Sequence, residues 1–99
     1  MEERLAFTRS PAPQPAVRVD GSVYRTVEWS QGNLVVACHG GYRIGALVVI
    51  DAVGPDADTM QSVGIRGRIT RVTPDGDAAV DFLHRDDAAM LALRALAEG

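Results

Sequence analysis

The sequence predicts a small antiparallel β-barrel with one helix at its C-terminal end. Short apolar runs follow one another from Val17 to Phe82, tight-turn residues separate them, and an amphipathic stretch comes last. Six strands of this length form a sheet with two exposed edges unless it closes, and closure removes both edges. At 99 residues the chain is long enough for one domain with a single core. We therefore predict a mainly β fold, a six-stranded antiparallel barrel that the C-terminal helix plugs or flanks.

Residues 1–16 are predicted to form an extended arm, and residues 17–99 the barrel with its helix. Proline occupies every second position at Pro11, Pro13 and Pro15. Proline lacks an N–H donor and holds the backbone extended, so this segment is not a central strand. The arm either lies across the domain surface or extends away from it.

The second predicted strand, Val23 to Ser30, carries the most informative side chains. Asp20-Gly21 is a strong hairpin signal that connects it to a first strand at Val17 to Val19. Strict alternation directs its residues to two faces. The predicted inward set is Val23, Val27 and Trp29, and the outward set is Tyr24, Thr26, Glu28 and Ser30. Because Arg25 falls on the apolar face, either the strand is bulged or Arg25 lies near its end.

Four further segments complete the predicted barrel. The turn Gln31-Gly32-Asn33 leads into Leu34 to Cys38, and a glycine-rich loop leads into Ala46 to Val53. This last run is apolar without alternation, as in a strand covered on both faces or at a barrel closure. The next strand directs Val63, Ile65 and Ile69 inward and Arg66, Arg68 and Thr70 outward. After the turn at 73–77, the last strand directs Ala78, Val80 and Phe82 inward.

The C-terminal stretch is predicted to be a helix capped by Asp86. Aspartate accepts hydrogen bonds from the first free N–H groups of a helix, and Asp87 in the first turn complements the helix dipole. Met90, Leu93 and Ala97 are predicted to form its apolar face.

Composition and charge exclude several classes of function. The net charge of −3 and the aromatic content of 5% argue against a DNA- or RNA-binding surface. All ten basic residues are arginine, which fits either planar recognition of phosphate and guanine or a GC-rich genome. No apolar run is long enough to span a bilayer, and no signal-peptide pattern is present, so we expect a cytoplasmic protein without direct membrane contact. The single cysteine, Cys38, is expected to be a packed thiol.

No catalytic or metal-binding set is visible in the sequence. His39 and His84 have no second histidine or cysteine at metal-ligand spacing, and Ser30 has no histidine near it in sequence. Arg66, Arg68 and Arg71 either form a cationic stripe near a ligand face or are solvated strand residues. We therefore expect a binding domain with no enzymatic activity, no metal and no cofactor.

The chain resembles the PilZ domain family in the order of its predicted elements and in one motif, Glu28-Trp29-Ser30-Gln31-Gly32-Asn33. In that family a basic arm carries an Arg-x-x-x-Arg pair, and a strand ends in Asp/Asn-x-Ser-x-x-Gly. The similarity runs from about Arg4 to the end of the chain and includes Gly45, Gly67 to Val72 and Val80-Asp81-Phe82. It implies a bacterial regulatory domain that receives the second messenger cyclic di-GMP and signals to motility or exopolysaccharide machinery.

The resemblance also implies which residues bind the nucleotide. Ser30 matches the motif serine, Glu28 stands where the family has Asp or Asn, and Asn33 stands at the motif glycine. Glycine permits positive φ, and asparagine is the next most tolerant residue of that region. Arg9 stands about where the second arginine belongs. The position of the first arginine is occupied by Leu5, with Arg4 one residue away.

Two functions follow from these departures. The first is a cyclic di-GMP receptor of weakened affinity that uses Arg4, Arg9, Glu28, Ser30 and Asn33, since one misplaced arginine contact costs on the order of tenfold in affinity. The second is a degenerate PilZ-like domain that binds no nucleotide and acts as a protein-interaction module. Either function implies a protein partner or a fused domain.

Overall fold

The computed structural model describes residues 14–98, the Glu98 side chain excepted, and they form a closed antiparallel barrel with one C-terminal helix. The predicted fold class is therefore confirmed. Around the barrel the strand order is β1-β2-β3-β6-β5-β4. The elements are β1 (Ala16–Val19), β2 (Ser22–Trp29), β3 (Asn33–Val36), β4 (Leu47–Gly54), β5 (Gln61–Val72), β6 (Ala78–Arg85) and α1 (Asp87–Glu98). Most of the predicted arm, with Arg4 and Arg9, lies outside the described residues.

The antiparallel order divides the connections between two ends of the barrel. The β1–β2, β3–β4 and β5–β6 connections lie at one end, since every pair of neighbouring strands is antiparallel. The β2–β3 turn, the β4–β5 loop, the entry into β1 and the start of α1 share the other end. Gln14 and Pro15, which directly precede β1, therefore lie at the same end of the barrel as the predicted motif.

The first hairpin forms as its sequence predicts. Asp20 and Gly21 both have positive φ, 49° and 91°, which is the requirement of a type I′ turn. That turn is also held to β4, because the Asp20 N–H donates to the Val49 carbonyl at 2.9 Å.

Strand β2 departs from the predicted alternation. Val23 and Val27 are 48% and 41% exposed, whereas Thr26 and Trp29 are buried. The pairing with β3 shifts by one residue between Thr26 and Glu28. This bulge exchanges the inward and outward positions within the strand, and the half-buried Tyr24 also packs against the core. The prediction was therefore right for Trp29 and wrong for Val23, Tyr24, Thr26 and Val27.

Strand β4 is exposed on one face, although its sequence is apolar on both. Leu47 and Val49 are 67% and 50% exposed, while Val48 and Ile50 are 3% and 0% exposed. Coverage of both faces was therefore the wrong expectation for the first half of this strand. The alternative expectation, a place at the barrel closure, is confirmed because β4 pairs with β1. The apolar outer residues do not contribute to the core.

Strands β5 and β6 confirm the predicted inward and outward sets. Arg66, Arg68 and Thr70 are exposed. The inward residues Val63, Ile65, Ile69, Ala78 and Val80 are buried, and Phe82 is half-buried. The turn between the two strands uses Gly76 at a φ of 90°.

Helix α1 starts as predicted but presents a different face to the barrel. The Asp86 carboxylate accepts the Ala89 N–H at 2.8 Å, which confirms the cap. Leu93 is buried, whereas Met90 is 41% exposed and Ala97 is exposed. The helix residues that pack on the core are Ala89, Ala92, Leu93 and Leu96, spaced as one helical stripe. No helix within residues 14–98 combines the length and apolarity that a membrane crossing requires.

Candidate functional site

The β2–β3 turn, defined here as residues 30–33, is closed by hydrogen bonds between its first and last residues. The Ser30 N–H donates to the Asn33 carbonyl at 2.8 Å. The Ser30 hydroxyl accepts the N–H groups of Gly32 and Asn33, each at 3.2 Å, and lies 3.2 Å from Asn33 Oδ1. This is a serine turn, in which a side-chain oxygen satisfies the N–H groups that follow it.

The Ser30 hydroxyl has little bonding capacity left for a ligand. A hydroxyl provides one donor and two acceptor lone pairs. The two N–H groups take the acceptor positions, and Asn33 Oδ1 takes the proton. The structure therefore gives Ser30 the role of shaping the turn, and a direct bond to a ligand requires one of these bonds to be exchanged.

The turn makes no demand for glycine at the position that Asn33 occupies. The positive-φ residues of the described chain include neither Gly32 nor Asn33. Asn33 is extended and begins β3, opposite Asp81 of β6. We expected Asn33 to be tolerated at this position because asparagine tolerates positive φ. This expectation was wrong, because the Asn33 backbone is in the extended region that any residue adopts.

Glu28 lies two residues before the turn on an exposed surface of β2. It pairs with Val35 of β3, directly after the bulge. The structure thus places Glu28, Ser30 and Asn33 within one hairpin and bonds Ser30 directly to Asn33. Arg4 and Arg9 lie outside the described residues.

Two residues of β6 hold the turn from the side, and sequence reasoning missed both. The Phe82 N–H donates to the Gly32 carbonyl at 3.0 Å. The Arg85 guanidinium donates to the Gln31 carbonyl. Arg85 is 54 positions from Gln31 along the chain, and only the β3–β6 pairing brings them together. No local pattern in the sequence signals this contact.

The end of the predicted arm is bonded to β2 close to Glu28. Gln14 Nε2 donates to the Val27 carbonyl at 3.0 Å. The buried Thr26 donates from both its hydroxyl and its N–H to the Pro15 carbonyl, each at 2.9 Å. Thr26, predicted on the ligand face, instead fixes the point at which the chain enters the barrel.

The strand arginines lie at different distances from the turn. Arg68 pairs with Asp81, which pairs in turn with Asn33, so Arg68 is two strands away. Arg71 pairs with Ala79 and lies three strands from Glu28. Among the described residues, Arg85 is the cation that contacts the turn.

At the opposite end of the barrel, the glycine-rich loop packs against the β5–β6 turn. The Gly40 N–H donates to the Gly76 carbonyl at 2.7 Å, and Cys38 Sγ lies 3.4 Å from the same oxygen. His39 Nδ1 lies 3.8 Å from Asp77 Oδ1, beyond hydrogen-bond distance. Residues 14–98 contain no group of three or more metal-ligating side chains. These contacts therefore describe a loop junction.

Two tyrosines pack together near this loop. The rings of Tyr24 and Tyr42 meet edge to face with centroids 6.5 Å apart. Burial raises the pKa of Tyr42 to about 12, and the neighbouring Tyr24 hydroxyl acts in the same direction. The edge-to-face contact thus packs the glycine-rich loop against β2.

Comparison of the sequence with protein-family models and with curated proteins found no match.

Proposed function

We propose that this domain is a non-catalytic receptor for cyclic di-GMP and that it binds one guanine edge at the β2–β3 hairpin. The observation that carries the proposal is the placement of Glu28 and Asn33 on one exposed hairpin, beside the point where the N-terminal segment enters the barrel. The resemblance to the PilZ family motivates the choice of ligand.

The chemistry of the two side chains suits guanine. The base carries N1–H and N2–H donors on one edge and O6 and N7 acceptors on another. The Glu28 carboxylate can accept from the donor edge, and the Asn33 amide NH₂ can donate to O6 or N7. Arg9 and Arg4 are assigned to the phosphates, since guanidinium groups bind phosphate oxygens bidentately.

Isothermal titration with cyclic di-GMP tests the proposal on the full chain. We expect a Kd on the order of micromolar, and a loss of about tenfold or more for Arg9→Ala, because each charge-assisted contact is worth about 1.5–3 kcal/mol. Glu28→Gln should weaken binding by a similar factor, since one of the two acceptor oxygens becomes a donor. Arg94→Ala on the exposed side of α1 is the matched control and should leave the Kd unchanged.

Cyclic di-AMP is the ligand control. Adenine lacks the paired N1–H and N2–H donors of guanine, so it should bind at least tenfold more weakly. Equal affinities for the two dinucleotides, or no heat at a millimolar concentration of cyclic di-GMP, would refute the proposal.

The closed bonding of Ser30 favours a second candidate, a protein-interaction module without a nucleotide. If the serine only shapes the turn, Ser30→Ala leaves recovery of a protein partner unchanged. Deletion of residues 1–13, which keeps β1 and the Thr26–Pro15 hydrogen bonds, abolishes it. A receptor that needs cyclic di-GMP to recruit its partner gives a different result, because recovery then depends on added nucleotide.

A further inference from the structure

The outer surface of β4, β5 and β6 carries large aliphatic side chains that the fold does not bury. Leu47 and Val49 on β4 are 67% and 50% exposed, and Leu83 on β6 is 58% exposed. The core is formed without them, since none of the three belongs to the buried cluster. Exposed aliphatic residues gathered on one face often mark an interaction surface.

Two arginines on β5 lie between these aliphatic residues. Leu47 pairs with Arg68 and Val49 pairs with Arg66, so their Cβ atoms are about 5 Å apart. Leu83 lies at the register shift of β6, between the partners of Gly67 and Arg66. We call Leu47, Val49, Arg66, Arg68 and Leu83 the aliphatic–arginine face.

The charge of this face is opposite to that of the whole chain. The protein has a net charge of −3, yet Arg66 and Arg68 concentrate positive charge here. Within residues 14–98 the ion pairs are Arg18–Asp51 and His39–Asp77, and neither involves these two arginines. Asp81 is opposite Arg68, whereas Arg66 has the imidazole of His84 opposite it.

Barrel closure decides how a partner can bind. Every strand is paired on both sides, so a partner cannot add a strand and must dock through side chains. Leu47 and Val49 are about 6.8 Å apart along β4, close to the 5.4 Å rise of one helical turn. Apolar residues one turn apart on a helix can therefore contact both, and acidic residues beside them can reach the arginines.

We propose that the aliphatic–arginine face docks an amphipathic helix of a partner protein, with Asp or Glu flanking the apolar stripe of that helix. A helix is favoured over an anionic membrane because the exposed acids Asp20 and Asp81 border the face and would meet a broad lipid surface. This docking surface goes beyond the proposed nucleotide site and uses none of the residues assigned to it.

The test uses two synthetic 14-residue helical peptides and the isotope-labelled full chain. Both peptides carry leucines at i, i+4, i+7 and i+11, and the flanking residues are Glu in one and Lys in the other. We expect the Glu peptide to shift the backbone amides of 47–49, 66–68 and 83. The Lys peptide should bind at least tenfold more weakly, because charge complementarity is reversed.

Two variants and two matched controls localise the binding. Leu47→Ser and Arg66→Glu should each weaken the Glu peptide at least tenfold. Arg66 is chosen because neither of its strand partners, Val49 and His84, is acidic. Leu91→Ser and Arg94→Glu make the same changes on the exposed side of α1 and should leave the affinity unchanged. The fluorescence of the buried Trp29 reports whether each variant is folded.

Several outcomes would overturn the inference. They are equal binding of both peptides, shifts outside the face, and unchanged affinity in folded Leu47→Ser. Stronger binding to phosphatidylglycerol vesicles than to the peptide would assign the face to a membrane. Self-association in sedimentation that Leu47→Ser abolishes would assign it to a second copy. Titration with cyclic di-GMP measures binding at the separate β2–β3 hairpin. A negative result for nucleotide binding therefore does not refute helix docking, and the reverse also holds.

Discussion

The β2–β3 turn and the aliphatic–arginine face are both exposed, but they differ in their contacts with the rest of the barrel. The polar groups of the turn are hydrogen-bonded, whereas the aliphatic side chains of the face are not buried. In the turn, Ser30 bonds within four residues and β6 donates to the carbonyls of Gln31 and Gly32. On the face, Leu47 and Val49 project from a paired strand without entering the core. Contacts among residues 14–98 complete the turn, whereas the same residues leave the side chains of the face exposed.

This difference is the basis on which a small ligand is proposed for one surface and a protein for the other. A rigid turn holds a few polar groups in fixed positions, as recognition of a base edge requires. Aliphatic side chains around arginines provide area and charge without fixed hydrogen bonds, as the centre of a protein interface does. Paired substitutions, one from each region, test the comparison.

Substitutions at Gly67 and Gly32 should give the largest difference in the free energy of unfolding. A Cβ at Gly67 would clash with Val80 Cγ1 and lie 3.0 Å from the Asp81 carbonyl oxygen, whereas nothing lies within 4 Å of a Cβ at Gly32. Gly67→Ala should therefore lower the free energy of unfolding by about 1–3 kcal/mol through overpacking. Gly32→Ala should change it by less than about 0.5 kcal/mol.

Urea unfolding followed by the fluorescence of Trp29, the only tryptophan, measures both variants. Equal effects at the two positions would mean that the barrel beneath the face is no more tightly packed than the turn.

Substitutions at Ser30 and Ser62 should give a smaller difference in the free energy of unfolding. Ser30→Ala removes the acceptor of two N–H groups and should lower the free energy of unfolding by about 0.5–1.5 kcal/mol. Ser62→Ala, on the exposed surface of β5, should change it by less than about 0.5 kcal/mol. The same urea measurement applies, and a neutral Ser30→Ala would show that solvent replaces the turn bonds at no cost.

Asp86, where β6 ends, gives the smallest expected effect and a dependence on pH. The hydrogen bond from the Ala89 N–H, together with the nearby backbone of Gly64, lowers its pKa below the ordinary 3.8. A carboxyl with a lowered folded-state pKa stabilises the fold above 3.8 and loses that contribution as the pH falls through its folded value.

Wild type should therefore exceed Asp86→Asn in stability at pH 6, and the gap should narrow below pH 3.8. Unfolding curves recorded from pH 6 to pH 2.5 measure the gap. A constant difference across that range would contradict the assigned cause of the pKa shift.

Features set by neighbouring residues were predictable from the sequence. Asp20-Gly21 specified its turn, Asp86 its cap, and the alternation of β5 its two faces, since each depends on local backbone chemistry. The turn signal at residues 31–33 placed Glu28, Ser30 and Asn33 on one hairpin, and β2 and β3 form that hairpin.

Features set by strand pairing were not predictable. The bulge before Glu28 reversed Val23 and Val27, because only the register with β3 creates it. Burial of Leu47 and Val49 depends on which elements pack over β4. The sequence of an apolar run does not show whether its outer face is buried or exposed. Arg85 reaches the turn through tertiary pairing alone.

We propose that the β2–β3 hairpin binds a guanine nucleotide while the aliphatic–arginine face stays free of it. Backbone amide shifts of the labelled full chain, recorded with increasing cyclic di-GMP, test this directly. The largest changes should fall on residues 28–33 and Arg85, with none at 47–49 or 66–68. No change at a millimolar concentration of ligand, or the largest changes on the aliphatic–arginine face, would contradict it.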